Sequence, residues 1–73
     1  MKQKWFIVYK KYKDVGIVLF AHFLNYNALC YLELHCDKNC FIGRTVKKQL
    51  IPKHGKIIKP DTLIPIDKNE PPL

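Results

Sequence analysis

Acidic residues are scarce in this chain and unevenly placed. Six Asp and Glu stand against thirteen Lys and Arg, a formal net charge of +7. Residues 1–13 and residues 38–59 contain no acid at all. Twelve of the thirteen bases fall in those same two blocks: Lys2, Lys4, Lys10, Lys11 and Lys13 in the first, and Lys38, Arg44, Lys47, Lys48, Lys53, Lys56 and Lys59 in the second. A surface of one sign repels cationic partners and attracts nucleic acid, anionic lipid or an acidic protein. Arginine is scarcer still, since Arg44 is the sole one. Readers of specific bases lean on the bidentate fork of Arg, so its scarcity argues against sequence-specific readout and leaves phosphate contacts.

Other absences narrow the class further. With three glycines, the chain has no phosphate-cradling glycine-rich loop and no dinucleotide fingerprint. No zinc ribbon or RNA-recognition signature is present, and no segment repeats. Cysteines number three, at 30, 36 and 40, so at least one thiol is unpaired within a monomer. The apolar run Trp5–Tyr9 is too short for the core of a secretory leader and is closed by Lys10-Lys11. The expectation is a cytoplasmic protein with reduced thiols.

Val15–Leu32 contains no charge, which requires a test as a membrane span. Its length sits at the lower edge for crossing a bilayer, and Gly16, His22, Asn25 and Asn27 interrupt it. A buried hairpin is the expectation, and no membrane partner.

What remains is a folding composition, 48% hydrophobic in 73 residues, enough for one small domain. Lys4–Tyr12 is rich in β-branched and aromatic residues and reads as a strand. Lys13–Gly16 is a turn, and Ile17–Leu24 a strand apolar on both alternating sets. One face would carry Ile17, Leu19, Ala21 and Phe23, the other Val18, Phe20, His22 and Leu24. Asn25-Tyr26-Asn27 reads as a turn. Leu29–Cys36 reads as a third strand with Cys30, Leu32, Leu34 and Cys36 on its apolar face. Asp37-Lys38-Asn39 is a hairpin turn leading into a fourth strand, Cys40–Gln49, with Cys40, Ile42 and Arg44 sharing a face. All five prolines lie after Leu50, which excludes a long helix there and leaves Ile57-Ile58 and Leu63-Ile64 as short extended pieces. The predicted fold is mainly β: an antiparallel meander sheet or small barrel of about four to six strands with a Pro-rich C-terminal segment. Residues 1–66 form the domain and 67–73 a tail.

Three constellations carry candidate chemistry. The stretch 34–40 (LHCDKNC) offers Cys36 and Cys40 as metal ligands, with His54 as a distant third. A structural zinc site needs a second close pair, which is missing, so the stretch reads as a turn between core cysteines and no cofactor is expected. Tyr31, Glu33 and His35 would share one face of the third strand. With Arg44 on the neighbouring strand they would supply base, acid and phosphate clamp of a metal-independent ribonuclease. The third constellation is electrostatic: Lys10, Lys11, Lys13, Arg44, Lys47, Lys48, Lys53, Lys56 and Lys59, with aromatics interleaved in the first block.

The leading expectation is a non-enzymatic nucleic-acid-binding domain of low sequence specificity, using both Lys-rich blocks on phosphates. The alternative is a small accessory or inhibitor protein, of phage or mobile-element type, gripping an acidic surface of a larger partner. A ribonuclease built on Glu33, His35 and Arg44 is the third. An exposed edge strand would also permit a homodimer.

Overall fold

A computed structural model describes residues 2–35 and 39–66. The chain is mainly β. Strands β1 (Phe6–Tyr12) and β2 (Val15–His22) form a hairpin. Helix α1 (Asn25–His35) follows, then β3 (Cys40–Thr45), the two-residue β4 (Ile57–Ile58), a 3-10 turn (Pro60–Thr62) and β5 (Leu63–Pro65). The five strands make one antiparallel sheet in the order β4-β2-β1-β3-β5.

That order forces curvature. In a flat sheet, β4 and β5 at opposite edges would stand roughly 19 Å apart. Only residues 59–62 join them, and three of these are in a 3-10 turn. Such a link reaches roughly 14 Å, part of it along the strands. The sheet therefore curls into a half-barrel. Ile58 and Leu63, one from each edge strand, pack on the same cluster of Ile7, Tyr9 and Val18 on the concave side. Proline suits this link: Pro60 opens the 3-10 turn, where its missing N–H is not needed.

The convex side carries the helix. Val8 and Ile42 pack there with Ala28 and Leu32 of α1, joined by Cys40. Phe6, Leu19, Phe20, Leu29, Tyr31 and Ile66 complete this layer. β1 is thus central and buried on both faces, and Ile7 and Val8, neighbours in sequence, fill opposite cores.

Of the third expected strand, Leu29–Cys36, residues 29–35 are instead the body of α1, and the expected turn at Asn25–Asn27 is its first turn. No β-branched residue occurs between Asn25 and His35, while Ala28, Leu29, Leu32, Glu33 and Leu34 are strong helix formers. The alternation that put Leu32 and Leu34 on one face is overruled: Leu32 is buried and Leu34 is 75% exposed. Ala28 and Leu32, four apart, form the packing stripe. The entry is held by Leu24 N–H donating to His22 Nδ1 (3.0 Å) and Ala28 N–H to the Leu24 carbonyl (3.3 Å). Cys36, Asp37 and Lys38 lie outside the described residues, as does the tail 67–73.

In β2 the expected two-residue alternation is also broken. Val8 pairs with Phe20 but Tyr9 pairs with Val18, so Leu19 is the extra residue of a bulge. The bulge lets Val18 and Ala21 both face the concave core, and Leu19 and Phe20 both face the helix. β3 ends at Thr45; beyond it Gln49 makes only an isolated bridge to Gln3. Among the described residues, no helix is long and apolar enough to cross a membrane.

Candidate functional site

Lys47, Lys48, Lys53, Lys56 and Lys59 of the second block are gathered around the open end of the half-barrel. One wall begins where β3 stops. Thr45 is buried, its N–H donates to the Trp5 carbonyl (2.9 Å), and its Oγ1 accepts from Trp5 N–H (2.9 Å). Gln3 and Gln49 exchange backbone bonds of 3.2 Å, and Trp5 Nε1–H donates to the Gln49 carbonyl (3.0 Å). These bonds pin both ends of the segment that carries Lys47 and Lys48.

The facing wall is the approach to β4. Val18 N–H donates to the Lys56 carbonyl (2.9 Å), and Gly55 N–H donates to the Val18 carbonyl (2.7 Å). A turn closes with Lys56 N–H on the Lys53 carbonyl (3.1 Å). Gly55 sits at φ 86°, a left-handed conformation that costs an L side chain about 1–2 kcal/mol. The turn presents Lys53, His54 and Lys56.

Between the walls lie two cavities, of about 670 and 370 Å³, which share Gln49 and Lys56. The larger is flanked by Lys2, Lys48, Lys53, His54 and Lys56. The smaller has an apolar floor of Ile7, Ile58 and Leu63, and a rim of Lys47, Lys56 and Lys59. No acidic side chain lines either one. Ammonium groups spaced within a Debye length of about 8–10 Å repel one another, and a bound polyanion relieves that repulsion.

Of the first block, Lys2 joins this cleft through the Gln3–Gln49 bridge. Sequence reasoning missed Lys2 as a site residue, because that pairing links chain segments far apart with no local signal. Lys10, Lys11 and Lys13 stand on the β1–β2 hairpin and line neither cavity. Lys10 Nζ lies 5.6 Å from the Tyr12 ring centre, and Lys11 Nζ lies 6.0 Å from that of Phe41, both cation–π distances. The aromatics interleaved in the first block are mostly structural: Tyr9 is buried and packs with Phe41 at 6.0 Å, and Phe6 belongs to the helix-side core.

The titration of Tyr9 is clearly displaced. Burial pushes its phenol above the usual value of 10.0, and the negative charge of Asp61 adds to the effect. It is a neutral core residue at physiological pH.

The residues of the expected ribonuclease site are not brought together. On a helix, Tyr31 and His35 are neighbours, with ring centres 4.7 Å apart. Glu33, two residues from each, points to a different side. Arg44 lines a separate cavity beside Asn25, at the start of the helix, whereas Glu33 lies about 12 Å further along the axis. Of the metal candidates, Cys40 is buried in the helix-side core, His54 lines the lysine cleft, and Cys36 is outside the described residues. Among the described residues, no group of three or more His, Cys, Asp or Glu could hold a metal ion.

Comparison of the chain with protein-family models, with curated protein sequences and with solved structures finds no match.

Proposed function

We propose that the chain is a non-enzymatic nucleic-acid-binding domain that holds the phosphate backbone in the lysine cleft, with low sequence specificity. The observation that carries this reading is the pair of neighbouring cavities, sharing Gln49 and Lys56, walled by Lys2, Lys47, Lys48, Lys53, Lys56 and Lys59 without an acid. Ammonium groups on flexible stems suit phosphates at varied positions, and the cleft is lined by no Arg, Phe, Tyr or Trp for reading bases. The hairpin lysines would act as a secondary, weaker contact.

The test is binding to labelled single- and double-stranded DNA and RNA across salt concentration. If about four to six phosphates are neutralised, log K falls with log salt at a slope of about −3 to −5. Replacing Lys47, Lys48, Lys53 and Lys56 with Glu abolishes binding, and replacing Lys10, Lys11 and Lys13 with Glu weakens it less. Equal loss from both sets, or none from the first, would refute the cleft as the site.

A second reading is favoured by a specific observation. Val46, Leu50 and Ile51 are large, exposed and adjacent to the lysines of the cleft. Apolar groups beside cations suit the acidic surface of a partner protein better than a phosphate backbone. On that reading, nucleic-acid affinity vanishes near physiological salt, and Leu50→Ser with Ile51→Ser abolishes capture of one dominant partner.

A further inference from the structure

The lysine cleft leaves Arg44 unused. Arg44 turns to the helix side of β3, between Phe6 of β1 and Ile64 of β5, its cross-strand neighbours. There it lines a cavity of about 370 Å³ with Asn25, Phe23 and Ile66. Two buried side-chain polar atoms among the described residues lack any hydrogen-bond partner, Arg44 Nε and Asn25 Oδ1, and both residues line this cavity. No acidic side chain lines it, and among the described residues none pairs with Arg44.

We infer that this cavity is a binding site for a small carboxylate with an apolar body. A buried guanidinium nitrogen without an acceptor is costly, and a protein interior rarely keeps one without a partner. An anion satisfies it best, since the cavity carries one positive charge and no negative one. It must be planar with two acceptor oxygens to match the guanidinium fork. It must also be attached to something apolar, because the rest of the wall is Phe6, Phe23, Leu24, Ile64 and Ile66. Phe23 and Leu24 are 53% and 49% exposed at the rim, so an apolar body seated there removes surface from water. A bare phosphate satisfies the charge and leaves these side chains wet. The volume is that of a small-molecule site. The Asn25 amide, which lines the same cavity, donates or accepts according to its orientation and completes the polar end. The inference stands apart from the lysine cleft, which faces the other side of the sheet.

The same chemistry is found in a free aromatic or branched aliphatic acid and in the C-terminal carboxylate of a peptide. The experiment separates them while testing the site. Phenylacetate and its neutral analogue phenylacetamide are titrated into the isotope-labelled full chain, with backbone amide shifts recorded. The acid is expected to saturate, with the largest shifts at Phe6, Phe23, Arg44 and Ile64, and to bind at least about tenfold tighter than the amide. Arg44→Gln, whose spectrum reports whether it is folded, loses about 10–100-fold, while Lys47→Gln binds as the wild type does. An acetylated tripeptide ending in free phenylalanine binds tighter than phenylacetate if the natural ligand is a peptide end, and weaker if it is a free acid. Equal binding of acid and amide, shifts confined to the lysine cleft, or no saturable shift would overturn the assignment.

Discussion

A methyl group added at Gly16 probes how the concave core is built. Gly16 lies on β2 opposite Lys11, and an ideal Cβ there would stand 2.7 Å from Tyr9 Cδ2 and 3.3 Å from Tyr9 Cγ. The first distance is far inside van der Waals contact. The ring cannot retreat freely, because Tyr9 is only 7% exposed and packs against Phe41. Rotation about χ2 leaves Cγ in place, so Tyr9 or β2 itself must shift. Two effects oppose each other in Gly16→Ala. Replacing glycine in a strand removes unfolded-chain entropy and stabilises by about 0.5–1 kcal/mol. Overpacking a filled core costs about 1–3 kcal/mol. The clash wins, and the net loss is about 1 kcal/mol, with an upper bound near 2.5. For a domain of this size that lowers Tm by roughly 4–8 °C, readable by circular dichroism melts with urea titrations alongside. The cause is isolated by a cycle with Tyr9→Val, which removes the atom at 2.7 Å. In that background Gly16→Ala becomes neutral or stabilising, a coupling of about 1–2 kcal/mol. A Gly16→Ala protein at least as stable as the wild type, or one that loses as much without the Tyr9 ring, would show that the ring does not fill the space glycine leaves.

Three further outcomes follow from the same architecture. Tyr9 is held neutral by burial and by Asp61, so its folded pKa lies above its unfolded one. That contribution is fully present below about pH 10 and is lost as pH rises through the raised value; the wild type therefore loses stability there faster than Tyr9→Phe, compared in matched melts. Leu32→Ala removes the buried side chain that joins α1 to the sheet and costs about 2–5 kcal/mol, whereas Leu34→Ala changes stability by less than about 0.5 kcal/mol. Equal losses in urea titration would restore the strand alternation that pairs these two residues. Lys13 occupies the hairpin turn at φ 51°, so Lys13→Gly is expected to stabilise by about 0.5–1 kcal/mol, and a lower Tm would show that its side chain contributes there.

Much of the fold is legible in the chain. Lys4–Tyr12 has too many aromatic and β-branched residues to be anything but a strand, and Lys13-Asp14 before Gly16 marks the hairpin. Prolines from 52 onward limit the C-terminal part to short edge strands, which is what β4 and β5 are. The helix was legible as well, in the absence of β-branched residues between Asn25 and His35. That signal was outweighed by a chance alternation of Cys30, Leu32 and Leu34, because a short apolar segment satisfies both periods. Reading it as a strand also created a shared face for Tyr31, Glu33 and His35 that a helix does not possess.

The sequence by itself determined a small, mainly β, strongly cationic domain, since composition and local propensity act over a few residues. Tertiary structure alone decided where the charge goes. The Gln3–Gln49 bridge and the pairings of β1 with β3 and of β2 with β4 join residues distant in the chain. Their pairing is selected by the burial of Ile7, Tyr9, Val18, Ile58 and Leu63 together, a property no single segment carries. That burial curls the sheet, brings Lys2 beside Lys48 and Lys53, leaves Lys10, Lys11 and Lys13 on the hairpin, and turns Arg44 away from the lysines of the cleft into a cavity of its own.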